Sequence, residues 1–310
     1  PFFSFITTGL PHPEFRTSLK WFAKIKREKI TLPPEDKKVH PVMEYMRATK
    51  NCLGSFKNED IIDIRQTYYA MIAELDAIIG YIIDAVDNMG IRDNTYIIYL
   101  SDHGEMNMEH QQWLKNSMYE SSARVPFIIS GPEVEKGTKV EKLVSLLDIY
   151  PTLMDMGGVE NYRKDLEGTS LIPELKGDES DRKDWVMSQY HSNMQNTGSF
   201  MLRQDQWKYI AYPGYEPQLF NLEEDPEEVE DLSSQKSEKV KQLDNKLRDI
   251  IDYESVDQEA KEYDRQKFLE WKNELGEERY QEKISGLKGE YDRWGKEQDK
   301  KIRNWLNKNR

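Results

Sequence analysis

The sequence predicts an α/β fold: part of a mainly parallel, doubly wound sheet with flanking helices, followed by a small antiparallel sheet and a helical tail. Three observations carry this. Tyr96-Ile97-Ile98-Tyr99-Leu100 is a short apolar run without the alternation of a half-solvated strand, so it suits an inner strand covered on both faces. A long stretch with apolar residues at helical spacing feeds it through Arg92-Asp93-Asn94, a helix-to-strand unit of the kind that builds doubly wound sheets. Beyond Gly158 the pattern changes to short aromatic runs separated by turn residues, as an antiparallel sheet requires.

Composition limits the function classes. A chain of 310 residues, 37% hydrophobic and 11% aromatic, has enough apolar surface for a real core. Its formal charge of -13 argues against nucleic acid as the partner, because phosphate binding needs a basic surface. No apolar run approaches the roughly 18 residues of a membrane span. The single cysteine, Cys52, rules out an internal disulfide framework.

Along the chain, Phe2-Phe3-Ser4-Phe5-Ile6-Thr7-Thr8 reads as a strand already under way, with neither initiator methionine nor signal peptide before it. The expectation is a chain cut at its front, with part of the sheet outside this sequence. Two prolines then fix an extended path through Gly9-Leu10-Pro11-His12-Pro13 and leave His12 at the strand's end. Residues 17–47 read as a meandering connection in which Leu32-Pro33-Pro34 and His40-Pro41 interrupt any long helix. From Asn58, taken as the N-cap, apolar residues recur at Ile61, Ile64, Tyr68, Met71, Leu75, Ile78, Ile82, Val86 and Met89, and Gly90 marks the stop. Acids along this helix read as its solvated face.

Val125 to Pro132 reads as a second strand of the large domain, and Asp148-Ile149-Tyr150 opens a helix. The expected boundaries are 1–182 for the α/β domain, 183–235 for the antiparallel subdomain and 236–310 for the charged helical tail. Strands are expected at Trp185–Tyr190, Ser199–Arg203, Gln206–Tyr212 and Gln218–Leu222. Mixed charge in the tail favours docking on the protein's own surface over membrane binding.

The chemistry gathers where an inner strand ends. Asp102 and His103 follow the Tyr96–Leu100 run directly, at the carboxyl end where open α/β sheets bind ligands, and Gly104 is expected to let the backbone turn away. Downstream, Lys115 and Arg124 bring cationic charge to the same end. His12, Asp102, His103 and Lys115 together could hold a metal and a tetrahedral oxyanion, which fits sulfuryl or phosphoryl transfer. Each residue also has a plain alternative: Asp102 as a cap, Lys115 as a solvated charge, Arg124 as a partner for Glu120, and His12 as a turn histidine.

Ser101-Asp102-His103-Gly104-Glu105 and Lys115-x-x-x-Tyr119-Glu120-x-x-x-Arg124-x-Pro126 resemble the sulfatases of the alkaline phosphatase superfamily. The likeness continues through Pro11-His12-Pro13, Val144 to Thr152 and Trp207-Lys208-Tyr209-Ile210, so it covers nearly the whole chain except parts of the tail. It implies a sulfuric ester hydrolase, with Asp102 and His103 as metal ligands to one calcium ion, Lys115 binding sulfate, and His12 touching sulfate and the leaving-group oxygen. Calcium prefers oxygen ligands, so His103 has a second reading as a sulfate contact or as a ligand to a softer metal.

At its narrowest, the likeness implies removal of 2-sulfate from glucuronate in glycosaminoglycans by a lysosomal or secreted enzyme, acting on a sulfated sugar or aryl sulfate. His191 is a candidate substrate contact from the small domain. The resemblance also implies a formylglycine made from a Cys-x-Pro-x-Arg motif. Cys52 is followed by Leu53-Gly54-Ser55-Phe56 instead, so the nucleophile is expected upstream, in a missing amino-terminal portion, and this chain alone is expected to be inactive. A phosphonate or phosphodiester hydrolase and a non-catalytic binding protein of the same fold are the alternatives.

Overall fold

The computed structural model describes residues 2–294 apart from 51, 54, 55, 164, 192 and 193, with side chains described as far as 285. Its helices are α1 (Leu19–Phe22), α2 (Pro41–Thr49), α3 (Asn58–Asn88), α4 (Glu120–Ala123), α5 (Ile149–Met156), α6 (Ile172–Lys176), α7 (Ser237–Ile250) and α8 (Tyr253–Trp294). Its strands are β1 (Ile97–Leu100), β2 (Phe127–Ser130), β3 (Trp185–Tyr190), β4 (Ser199–Gln204), β5 (Trp207–Ala211) and β6 (Gln218–Asn221). The chain divides into two compact units: Pro1–Pro34, Phe56–Lys115 and Tyr119–Val186 make the first, and Glu35–Ser55, Asn116–Met118 and Met187–Arg310 the second.

In the first unit α3 runs over Asn58–Asn88; Asn58, expected as its N-cap, is instead its first helical residue, Lys57 holds the cap position without a side-chain hydrogen bond, and Gly90 follows the helix end with a positive φ. Its buried face carries Ala70, Met71 and Leu75, as the periodicity requires, but also Arg65 and Gln66, which an apolar count passes over. Asp63 pairs with Arg27, and Glu74 accepts from the Thr17 hydroxyl at 3.1 Å, so these acids serve local contacts.

Strands β1 and β2 form where expected but pair antiparallel, Ile97 opposite Ser130 and Leu100 opposite Phe127. The strand expected at the start of the chain does not form over its described residues, 2–8. Residues 2–9 are irregular, with Phe2, Phe3, Phe5 and Ile6 exposed. The reason is physical: an inner strand needs backbone partners on its edges, and no described strand runs beside this segment.

In the second unit, the meandering path expected through residues 17–47 is corrected at its end by the nine-residue helix α2. Pro41 does not interrupt a helix here. It occupies the first turn, where its missing N–H costs nothing, and His40 Nδ1 accepts from the Val42 N–H as the cap.

The four-stranded sheet has the order β3-β4-β5-β6, and the chain crosses into the second unit within β3. The β4–β5 hairpin turns on Asp205-Gln206, with Asp205 in the left-handed region. Phe200, Leu202, Ile210, Leu219 and Phe220 are buried, as are Leu243 and Leu247 on one stripe of α7. Asp244 ties this layer together, accepting from the hydroxyls of Tyr209 at 2.8 Å and Tyr253 at 2.7 Å. Tail docking therefore holds for α7 and the first turns of α8. Farther along, Tyr263, Phe268 and Leu269 are exposed, and α8 breaks at Gly276 so that Tyr280 folds back onto Phe268 and Trp271. Residues 295–310 of the predicted tail lie outside the described residues.

Candidate active site

Asp102 and His103 lie just past the end of β1, as the sequence predicts. His103 Nδ1 is 2.8 Å from the Gly104 carbonyl and, since a carbonyl only accepts, must carry the hydrogen. That tautomer turns the Nε2 lone pair toward Asp102 Oδ2 at 3.4 Å, while Asp102 Oδ1 accepts from the His103 N–H at 3.0 Å. Two acceptors facing each other fit a shared proton or a cation. Among the described residues no group of three or more such side chains could hold a metal ion, so the pair offers two ligands where calcium takes about six to eight. The Asp102 side chain is 83% exposed, open to whatever completes the site.

Gly104 matters for a reason other than the expected turn. Its φ is not left-handed. Its N–H donates to the Ser122 carbonyl at 2.8 Å, and a Cβ here would sit 2.0 Å from the carbonyl oxygen of Ser121. The glycine lets the Asp-His turn press against the start of α4.

His12 and Lys115, 103 positions apart in sequence, come together within the first unit. His12 Nδ1 donates to the Pro13 carbonyl at 2.7 Å, which leaves Nε2 to accept from Lys115 Nζ at 3.1 Å. The tautomer is thus fixed by the proline-bounded turn, and the imidazole points its basic nitrogen at an ammonium. A tetrahedral anion entering here would meet a charge-assisted donor and a ring nitrogen side by side.

The loop that delivers Lys115 is irregular in an unusual way. Asn107, Met108, His110, Gln111, Leu114 and Asn116 all have left-handed backbones, and the loop is closed by Met106 N–H to Leu114 O at 2.7 Å and Met108 N–H to Gln112 O at 2.8 Å. His110 is buried in a stack on Tyr119 at 3.8 Å between ring centres. In the second unit, the three residues after Lys115 are held in turn: Gln195 donates to the Asn116 carbonyl at 2.6 Å, and Lys208 Nζ to that of Met118 at 2.8 Å. Lys208 is fully buried on β5 and pairs with Glu228 at 2.8 Å. Sequence reasoning gave Arg65 no part in the site; the only signal was a cation interrupting the otherwise apolar face of α3.

His191 belongs to the second unit, where it packs edge-on against Phe200 at 4.8 Å, and burial lowers its pKa. Arg124 is exposed and only 3.8 Å from Glu120, the loose pair foreseen for it. Cys52 is a buried thiol directed at the Lys50 carbonyl at 3.5 Å, consistent with its reading as a core or loop cysteine.

A family model described as Sulfatase matches residues 1–159. The chain belongs to the sulfatase family. A second model, N-sulphoglucosamine sulphohydrolase, C-terminal, matches residues 108–254 of this sulfatase chain. The chain is 38% identical to Arylsulfatase K of Homo sapiens across 99% of its own length and 62% of that protein, and 39% identical to that of Danio rerio across 99% and 63%. It therefore spans less than two thirds of the length of these relatives. The phosphonate monoester hydrolase of Agrobacterium radiobacter superposes with a TM-score of 0.69 at 26% identity, covering 77% of this chain and 54% of its own. A 2-O GAG sulfatase superposes with a TM-score of 0.64 at 23% identity, covering 74% and 54%, a likeness of fold alone. These neighbours bear out the predicted fold class, with its helices, small antiparallel sheet and helical tail.

Proposed function

We propose that the protein is a sulfuric ester hydrolase of the arylsulfatase K type, acting on 2-sulfated glucuronate in glycosaminoglycans or on an aryl sulfate, in the lysosome or after secretion. The observation that carries the proposal is the His12–Lys115 pair. Lys115 offers a positive charge and donors to sulfate oxygens, and the imidazole, its Nδ1 committed to Pro13, presents Nε2 to the leaving-group oxygen. When Nε2 carries a proton, donation from it neutralises the developing alkoxide.

Asp102 and His103 fit a divalent cation as two of its ligands, and calcium bound there would supply charge neutralisation for sulfate. The family likeness assigns the nucleophile to a formylglycine, and none of these 310 residues lies in a Cys-x-Pro-x-Arg motif that could form one. Identity to Arylsulfatase K over 99% of the chain supports the narrower substrate. His191, a residue of the second unit, is retained as a candidate substrate contact.

The superposition with a phosphonate monoester hydrolase at 26% identity supports a second reading, hydrolysis of phosphonate or phosphodiester bonds through the same residues. Rates of the full-length protein on a 2-sulfated glucuronate disaccharide, an aryl sulfate and a phosphonate monoester separate the two. Faster sulfate hydrolysis, lost by roughly a hundredfold or more in Lys115→Ala, is expected. A faster phosphonate rate would overturn the sulfatase reading, and absence of all three would favour a binding protein.

A further inference from the structure

Arg65 is a buried cation on the inner face of α3, in a chain whose acids outnumber its bases, and nothing in the reaction as read so far uses it. Its side chain is 7% exposed. A guanidinium cannot shed its charge, so burial there is unfavourable unless its donors are well used. Nη1 donates to the main-chain carbonyl of Asn107 at 2.9 Å, Nη2 reaches the Tyr69 hydroxyl at 3.3 Å, and Nη1 lies 3.6 Å from Glu109. Apart from the Tyr69 hydroxyl, the groups these two nitrogens meet belong to the loop that carries Lys115, while Nε is buried without a hydrogen-bond partner among the described residues.

That loop needs an external hold. Residues 107–114 include five non-glycine residues in left-handed backbone conformations, which persist only where surrounding contacts over-determine them. Asn107 is the first of the five, and the closure from Met106 to Leu114 passes its geometry to the residue immediately before Lys115. α3 supplies a rigid base for the contact.

We infer that Arg65 is a positioning residue for sulfate recognition: by gripping the Asn107 carbonyl it fixes the loop that sets Lys115 against His12. The inference rests on the sulfate-binding role proposed for Lys115. The test is acylation of the Lys115 amine in the full-length protein, mapped by mass spectrometry with and without sulfate, together with kcat and KM on an aryl sulfate.

In the unsubstituted protein sulfate protects Lys115. In Arg65→Met the concentration giving half protection rises about tenfold or more and KM rises with it; Arg65→Lys, which keeps the charge and one donor, recovers part of both. A purely structural role would lower the folded fraction and leave half protection and KM of the folded molecules unchanged, and that result would overturn the inference. If Arg65→Met does not fold, Arg65→Lys carries the same comparison, with unaltered protection again counting against it. Absence of protection in the unsubstituted protein would overturn the role of Lys115 itself, an outcome distinct from equal protection in both proteins.

Discussion

Replacing Lys208 by methionine keeps most of the side-chain volume and removes the ammonium. In the folded protein Lys208 is fully buried, Glu228 nearly so, and the two lie 2.8 Å apart. Breaking a buried pair from one side leaves a carboxylate without its counter-charge, which costs roughly 3–5 kcal/mol. The Met118 carbonyl also loses its donor, worth about 1 kcal/mol more. Converting both partners to apolar residues removes the charge problem, and such exchanges are about neutral or stabilising in measured cases. Lys208→Met should therefore lower unfolding free energy by about 4–6 kcal/mol, whereas Lys208→Met with Glu228→Leu should recover most of that loss. Urea denaturation followed by circular dichroism, run as a double-mutant cycle, measures both. A single substitution costing under about 1 kcal/mol, or a double variant no better than the single, would refute the account of the pair as a mutually dependent buried charge.

Three further outcomes follow from named contacts. Burial holds the His40 imidazole below its ordinary value while its Nδ1 lone pair caps α2, so the folded state binds fewer protons than the unfolded one; stability is full above the unfolded value near 6.5 and falls as pH drops through it, and a pH series of denaturation midpoints that His40→Gln leaves unchanged would contradict this. Gly104→Ala places a methyl 2.0 Å from the Ser121 carbonyl oxygen, so it should cost at least roughly 1–3 kcal/mol by denaturation and displace the Asp102–His103 turn; the calcium binding proposed for that turn should weaken in step, as read by equilibrium dialysis. The 310-residue chain by itself should hydrolyse no sulfate ester, and turnover that survives further purification would place the nucleophile within it.

Much of this was legible from residue patterns because those patterns answer to local physics. The periodicity from Ile61 to Met89 and the aromatic runs of the small sheet appear where expected, Trp185–Tyr190 with its bounds unchanged. The Asp102-His103 turn was visible because an apolar strand ended abruptly in ligand-type residues. What failed was non-local. The run after Pro1 has strand composition, but a strand is a relation between segments, and its phenylalanines remain exposed without one. Proline at position 41 read as a breaker because its role depends on whether His40 turns its ring nitrogen back to the Val42 N–H. His12 and Lys115 were grouped because one ends an expected strand and the other follows a strand-end turn, and the family likeness reinforced it; no spacing rule joins residues so far apart.

Four buried cations among the described residues share a pattern. Arg47 meets Asp36 ahead of α2, and Arg65 grips the loop at Asn107. Arg182 spans Asp148 and Glu174 while donating to the carbonyls of Thr169 and Ser170, and Lys208 reaches Met118. Each of these cations holds irregular backbone, and three of the four do so by donating to a main-chain carbonyl. Since a buried ion pair contributes little net stability over an apolar replacement, stability alone does not explain the pattern. Geometry does: an apolar side chain can fill the same volume, but it cannot tell one carbonyl orientation from another, whereas a charged donor fixes both position and direction. Arg65 does so within the strained loop that leads to Lys115, and if that lysine binds sulfate as proposed, a displacement of about 1 Å there would weaken its hydrogen bond to the anion.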